Sequence, residues 1–201
     1  MTITYVFEGN LYINITNQCP NNCEFCLRNN TDSVGDSESL WLDREPSKDE
    51  ILSDILKRDL KKYPELVFCG YGEPTCRLDD MLYICSKIKE ISNIKIRINT
   101  NGLSDLINGK NTAINFKNLV DTLSISLNAS NKEEYDKICH SEFGINAFDA
   151  VINFTKNSLK YIPNVYLSIV YTGDNKSEIE KCRNLCKKIG ATLKIRDYID
   201  K

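Results

Sequence analysis

The sequence predicts an α/β fold, a partial (β/α)6 barrel of parallel strands with outer helices. Three observations lead there. Short apolar-alternating runs recur between longer stretches of helical period, which is a repeated β-α pattern. The chain has 201 residues, whereas a closed eight-stranded barrel needs about 250. Parallel strands buried on both faces read as continuous apolar runs, yet several here alternate with polar residues, so one face of the sheet looks into a lumen that is wet or filled by ligand. A flat doubly wound sheet is the alternative architecture.

Six strands are expected in order, at residues 11–16, 66–69, 94–99, 122–127, 165–170 and 192–196. In the third, Ile94, Ile96 and Ile98 lie opposite Lys95, Arg97 and Asn99. In the fourth, Leu123, Ile125 and Leu127 lie opposite Thr122, Ser124, Ser126 and Asn128. The helices between them open on capping boxes, in which a hydroxyl accepts from a free backbone N–H and a Glu three residues on reaches back: Ser47 with Glu50, Ser130 with Glu133, Ser177 with Glu180. Core stripes follow, as in Ile51, Ile55, Leu56 and Leu60, or Ile179, Cys182, Cys186 and Ile189. No low-complexity linker divides the chain, so residues 1–201 are expected to form one domain.

The 26 basic and 28 acidic side chains leave a formal net charge of −2 with no block of like charge. That argues against a nucleic-acid partner bound through phosphate neutralisation. No apolar run approaches the ~18 residues of a membrane span, and no secretory signal is visible over residues 1–10. The nine cysteines are odd in number and unevenly spaced. A secreted disulfide scaffold is therefore disfavoured, and a reducing, cytoplasmic setting with a metal or cluster site is favoured.

Three cysteines, Cys19, Cys23 and Cys26, sit on one loop directly after the first predicted strand. A structural zinc site wants four protein ligands, and no second paired Cys/His knuckle follows at the expected distance. Three thiolates suit a 4Fe-4S cluster that leaves one iron without a protein ligand. Zinc ligation or simple burial of the three thiols is the competing reading.

A Cys-x3-Cys-x2-Cys loop after the first strand, with the aromatic Phe25 before its last cysteine, resembles the signature of the radical S-adenosylmethionine (SAM) enzymes. Further segments agree in order, each at the carboxyl end of a successive predicted strand, where β-α folds build active sites. Gly70-Tyr71-Gly72-Glu73-Pro74 is similar to the family's glycine-glutamate-proline motif, Asn99-Thr100-Asn101-Gly102 to its Thr-Asn-Gly turn, Ser126-Leu127-Asn128 to its polar ribose and carboxylate contacts, and Val170-Tyr171-Thr172-Gly173 to its adenine-side segment. The opening Gly9 to Asn17 looks most like the TatD-associated radical SAM proteins.

The resemblance implies an enzyme that reductively cleaves SAM at a 4Fe-4S cluster to a 5′-deoxyadenosyl radical, which abstracts hydrogen from a substrate the sequence does not name. It implies that Cys19, Cys23 and Cys26 hold three irons, that Phe25 packs on cluster or adenine, that Glu73 pairs with the SAM ammonium, and that Asn99, Thr100, Ser126 and Asn128 face ribose and carboxylate. An electron donor such as flavodoxin or ferredoxin, and a link to a TatD-type hydrolase, are the partners it implies. Glycyl-radical activating enzymes and deazaguanine synthases share the barrel and stay open as alternatives, as does a non-catalytic Fe-S or zinc electron carrier or sensor.

The remaining cysteines have plain readings. Cys85 shares a stripe with Leu82, Ile88 and Ile91, and Cys182 and Cys186 read as core. Cys69 and Cys76 flank the glycine-rich motif, Cys139 and His140 read as a surface loop, and Trp41 as packing or a lid. Finally, Lys95, Arg97, Lys194 and Arg196 fall on the lumen parity. Acidic side chains are scarce there, so Arg97 and Arg196 are candidate contacts for a substrate carboxylate or phosphate.

Overall fold

A computed structural model describes residues 1–198. Seven strands form one sheet whose spatial order is the chain order: β1 (Thr4–Phe7), β2 (Asn10–Ile13), β3 (Glu65–Phe68), β4 (Lys95–Thr100), β5 (Thr122–Ser126), β6 (Asn164–Tyr171) and β7 (Thr192–Asp197). All neighbours from β2 to β7 pair in parallel. The helices α1 (Lys48–Leu56), α2 (Leu78–Ile91), α3 (Ser104–Asn108), α4 (Lys132–Cys139), α5 (Ala147–Ser158) and α6 (Lys176–Ile189) fill the crossovers. This is the partial barrel expected from length, with its six parallel strands joined by one more.

The addition is β1, antiparallel to β2. The two-residue loop between them places both Glu8 (φ 48°) and Gly9 (φ 75°) in the left-handed region, the backbone of a type I′ hairpin turn. The reading of six strands missed it because a Glu-Gly pair lacks the usual Asn or Asp at the first turn position. β3 also begins one residue earlier than expected, at Glu65, which puts a carboxylate on the sheet.

The outer face is the core. Leu11, Ile13, Leu66, Phe68, Ile96, Ile98, Leu123, Ile125 and Leu167 are fully buried under the helices. Phe116 and Phe154 meet edge to face, with centroids 6.2 Å apart. Cys85, Cys182 and Cys186 lie in the same core, as their stripes indicated. Two stripe members do not: Leu56 and Ile91, each at the last turn of its helix, are 51 % and 61 % exposed.

Of the three expected capping boxes, one forms as read. The Ser47 side chain accepts from the Glu50 N–H at 3.2 Å, and the Ser47 N–H donates to Glu50 at 2.8 Å. Elsewhere asparagine displaces serine by one or two positions. Asn131 caps α4 by accepting from the Glu134 N–H, while the Ser130 N–H donates to Glu178 instead. Asn175 precedes α6, but its side chain bonds Val170 and Thr172 rather than the helix. Asparagine competes well for both caps and turns, so the two helices start one residue later and two residues earlier than the serines indicate.

Candidate functional site

The carboxyl ends of the strands carry the cysteine loop and the turns that follow β3, β4, β5 and β6. The loop is fastened to the end of α4: the Asn22 N–H donates to the Cys139 carbonyl and the Glu24 N–H to the Ile138 carbonyl, each at 3.0 Å, and Asn21 bridges Ser141. Arg28 closes it from within, donating to the Asn21 carbonyl at 2.8 Å. Cys139 is therefore buried in the last turn of α4, beside Cys23, and is not on a surface loop. The left-handed cap His140 is exposed and lies 3.3 Å from Glu24.

Glu73 is buried and its two oxygens receive four donors. Oε1 accepts from the Thr75 N–H at 3.0 Å and from the Thr75 and Thr100 hydroxyls at 2.7 Å, and Oε2 from the Asn101 N–H at 2.6 Å. Burial pushes its pKa up, against the pull of those donors. Its carboxylate thus joins the turns after β3 and β4, so it faces protein donors where an ammonium contact was expected. Thr100 belongs to this clamp as well: it shares the outer parity of Ile96 and Ile98, and its hydroxyl faces Glu73 rather than the lumen.

Gly70 and Gly72 allow a close approach, but to the protein itself. A Cβ on Gly70 would meet Asn14 Cγ at 2.6 Å, and one on Gly72 would meet the Gln18 carbonyl at 2.7 Å and the Thr16 carbonyl nearer still. The strand end after β2 packs directly on this turn, and the Glu73 N–H donates to the Gln18 carbonyl at 2.7 Å. Pro74 starts a short 3-10 turn where its missing N–H costs nothing. Tyr71 is buried, its hydroxyl donating to the Thr31 carbonyl and its ring meeting Trp41 edge-on at 5.0 Å, which makes the half-exposed Trp41 a packing residue.

Asn101, which the sequence reading left without a role, links this clamp to the cysteines. Its Nδ2 lies 4.0 Å from Cys19 Sγ while its N–H holds Glu73. Asn128, two residues past the end of β5, is in the left-handed region (φ 58°), with Nδ2 3.9 Å from Cys139 Sγ and a buried Oδ1 that has no hydrogen-bond partner among the described residues. Phe25 is half-buried against the main core.

Toward the lumen, strand register aligns Arg97, Asn99, Ser124, Ser126, Val170, Lys194 and Arg196 on one face. The lumen is not uniformly polar as the alternation suggested. Tyr5, Tyr12, Val67 and Tyr71 give its β1–β3 side an apolar wall, and hydroxyls and cations line the β4–β7 side. Arg97 has a carboxylate partner after all: its Nε lies 2.9 Å from Glu65, though out of line for a hydrogen bond.

Do these residues fit a cluster and SAM? The three loop thiols are free and half-buried. Burial pushes Cys19 up to about 12 and Cys26 upward, and Cys23 is raised first by its bond to Cys139 and then by burial. Buried thiolates need positive charge beside them, which iron supplies. Among the described residues no three His, Cys, Asp or Glu side chains converge as the ligands of a single ion do, whereas a cluster spreads its three cysteines over separate irons. The orphaned Asn128 oxygen offers an acceptor to a bound polar ligand. The donor set fits.

The description Radical SAM superfamily matches residues 13–186 of the chain. The chain belongs to the radical SAM superfamily. Members use a 4Fe-4S cluster and SAM. The chain is 27 % identical over 192 residues to the probable dual-specificity RNA methyltransferase RlmN of Prochlorococcus marinus strain MIT 9515, covering 90 % of this chain and 52 % of that protein. It is 30 % identical to the probable GTP 3′,8-cyclase of Thermococcus kodakarensis, covering 92 % and 55 %. The chain thus spans about half the length of the curated relatives it matches. Among solved structures it resembles native anSMEcpe with bound AdoMet (TM-score 0.67, 20 % identity, 94 % of this chain and 51 % of that one) and Streptococcus suis SuiB bound to S-adenosylmethionine (TM-score 0.69, 18 %, 97 % and 42 %). No described helix of this radical SAM chain is long and apolar enough to cross a membrane.

Proposed function

We propose that this chain is a radical SAM enzyme that abstracts hydrogen from its substrate after reductive cleavage of SAM. The observation that carries the reading is the continuity from Cys19 through Asn101 to Glu73, by which one set of bonds fixes the cysteine loop and two strand-end turns together. Cys19, Cys23 and Cys26 would hold the cluster. The backbone of Gly70 to Gly72, the side chains of Asn99, Ser126 and Asn128, and the backbone at Val170 would hold SAM, with Phe25 packed beside them. When bound, the cluster supplies the electron that cleaves SAM. The protein's part is to orient the ligand, exclude water and keep the outward turns rigid, which the buried Glu73 clamp does.

A reduced flavodoxin or ferredoxin would deliver that electron in the cytoplasm. The segment Gly9 to Asn17, which forms the hairpin turn and β2, supports a place among the TatD-associated proteins and a functional link to a TatD-type hydrolase. Anaerobic reconstitution with iron and sulfide, dithionite reduction and assay for 5′-deoxyadenosine test the proposal. Cluster-bearing protein that neither binds nor cleaves SAM would instead be an electron carrier or sensor.

A further inference from the structure

Three cations enter the lumen from β4 and β7, and their partners differ. Arg97 lies against Glu65 and reaches Tyr12, with Nη2 3.4 Å from the phenol oxygen and the guanidinium 5.9 Å over the ring. Lys194 sits 3.7 Å over the ring of Tyr166. Arg196 donates only to the Ser126 hydroxyl, at 3.1 Å, and has no carboxylate within ion-pair distance among the described residues. Arg196 is exposed near the carboxyl end of β7. Of the three cations only Arg97 is largely screened from water, whereas Lys194 and Arg196 are exposed, so the Arg196 guanidinium is accessible with no carboxylate beside it among the described residues. Across the lumen from these cations, Tyr5 and Phe7 stack around Tyr12 at centroid distances of 5.3 and 5.7 Å.

We infer that Arg196 binds an oxyanion of the substrate, a carboxylate or a phosphate, whose aromatic or apolar body lies against Phe7, the half-buried edge of the buried Tyr5–Tyr12 wall. The guanidinium fork offers two parallel donors to such a group, and among the described residues four of its five N–H groups have no protein acceptor. Arg97, bridging the wall and the cation pair, positions the body relative to the anion. This substrate class rests on the radical SAM reading above.

Binding can be measured without turnover, by calorimetry on anaerobically reconstituted protein saturated with SAM, using phenyl phosphate, benzoate and inorganic phosphate as probes. Phenyl phosphate or benzoate should bind at least about tenfold more tightly than inorganic phosphate, and whichever is preferred identifies the oxyanion. Arg196→Gln should weaken the preferred probe by about tenfold or more, and Arg196→Lys should restore part of the loss. Unchanged affinity in Arg196→Gln, competition between probe and SAM, or no binding at about 10 mM would each overturn the inference. A wild-type protein that binds the probe but yields no 5′-deoxyadenosine would sink the proposed reaction and leave the anion site standing.

Discussion

The carboxylate of Glu73 accepts a 2.6 Å hydrogen bond from the backbone N–H of Asn101. Two strand-end turns, 28 residues apart in sequence, are held by this one buried group. Glu73→Gln keeps the shape but turns an NH2 toward donors, so at least one N–H or hydroxyl loses its acceptor. A loss of about 2 kcal/mol of stability is expected, read by urea unfolding at pH 7, together with weaker SAM binding. Full stability in the variant would remove the clamp from the account.

Gly72→Ala places a methyl group against the Gln18 and Thr16 carbonyls, backbone that has no flexible end to yield. The expected cost is about 3 kcal/mol or a displaced cysteine loop with reduced iron uptake. Gly109→Ala is the control. Its Cβ meets nothing within 4 Å, and the left-handed φ of 63° should cost only about 1 kcal/mol.

Cys19→Ala, Cys23→Ala and Cys26→Ala should each abolish the intact cluster, whereas Cys182→Ala, on the buried face of α6, should only lower the melting temperature. Iron and sulfide analysis with visible absorption after anaerobic reconstitution decides this. A full complement of four irons in Cys23→Ala would refute the ligand assignment.

Asp121 joins α2 to the sheet, accepting from Lys89 at 2.7 Å, from Lys95 at 2.9 Å and from the Ile96 N–H at 2.9 Å. Burial acts to raise its pKa, but these partners outweigh it and hold the carboxyl below the ordinary value of 3.8. With the folded pKa below the unfolded one, its stabilisation is present above pH 3.8 and is lost as pH falls through the folded value. Asp121→Asn should cost about 1 kcal/mol at pH 7 after solvent screening, and the difference from wild type should shrink on acidification toward pH ~3. Denaturation curves at several pH values check the slope; a difference that grows on acidification contradicts it.

Much of this molecule was readable because periodicity and spacing are local. Alternation in Lys95-Ile96-Arg97-Ile98-Asn99 alone separates core from lumen, and the cysteine spacing alone gathers three thiols on one loop. What escaped depends on partners distant in sequence. Glu65 was left outside its strand, so Arg97 looked unpaired. Tyr5 and Tyr12 become a wall only once β1 folds back on β2. Cys139 reads as a loop residue until the end of α4 is packed behind Cys23. Asn101 lies inside the turn after β4, yet its link to Cys19 spans 82 residues, and no pattern within either segment announces it.

Each strand of the sheet pairs with the strand made just before it, so the sheet can grow in the order of synthesis. The cysteine loop does not share that schedule. Asn21 must wait 114 residues for Tyr135, and its backing on α4 arrives at the same time. At ribosomal speeds of about 5–20 residues per second, three closely spaced thiols stand uncovered for on the order of ten seconds in every nascent chain. Until α4 has emerged and packed behind the loop, nothing in the fold shelters those thiols from an oxidant.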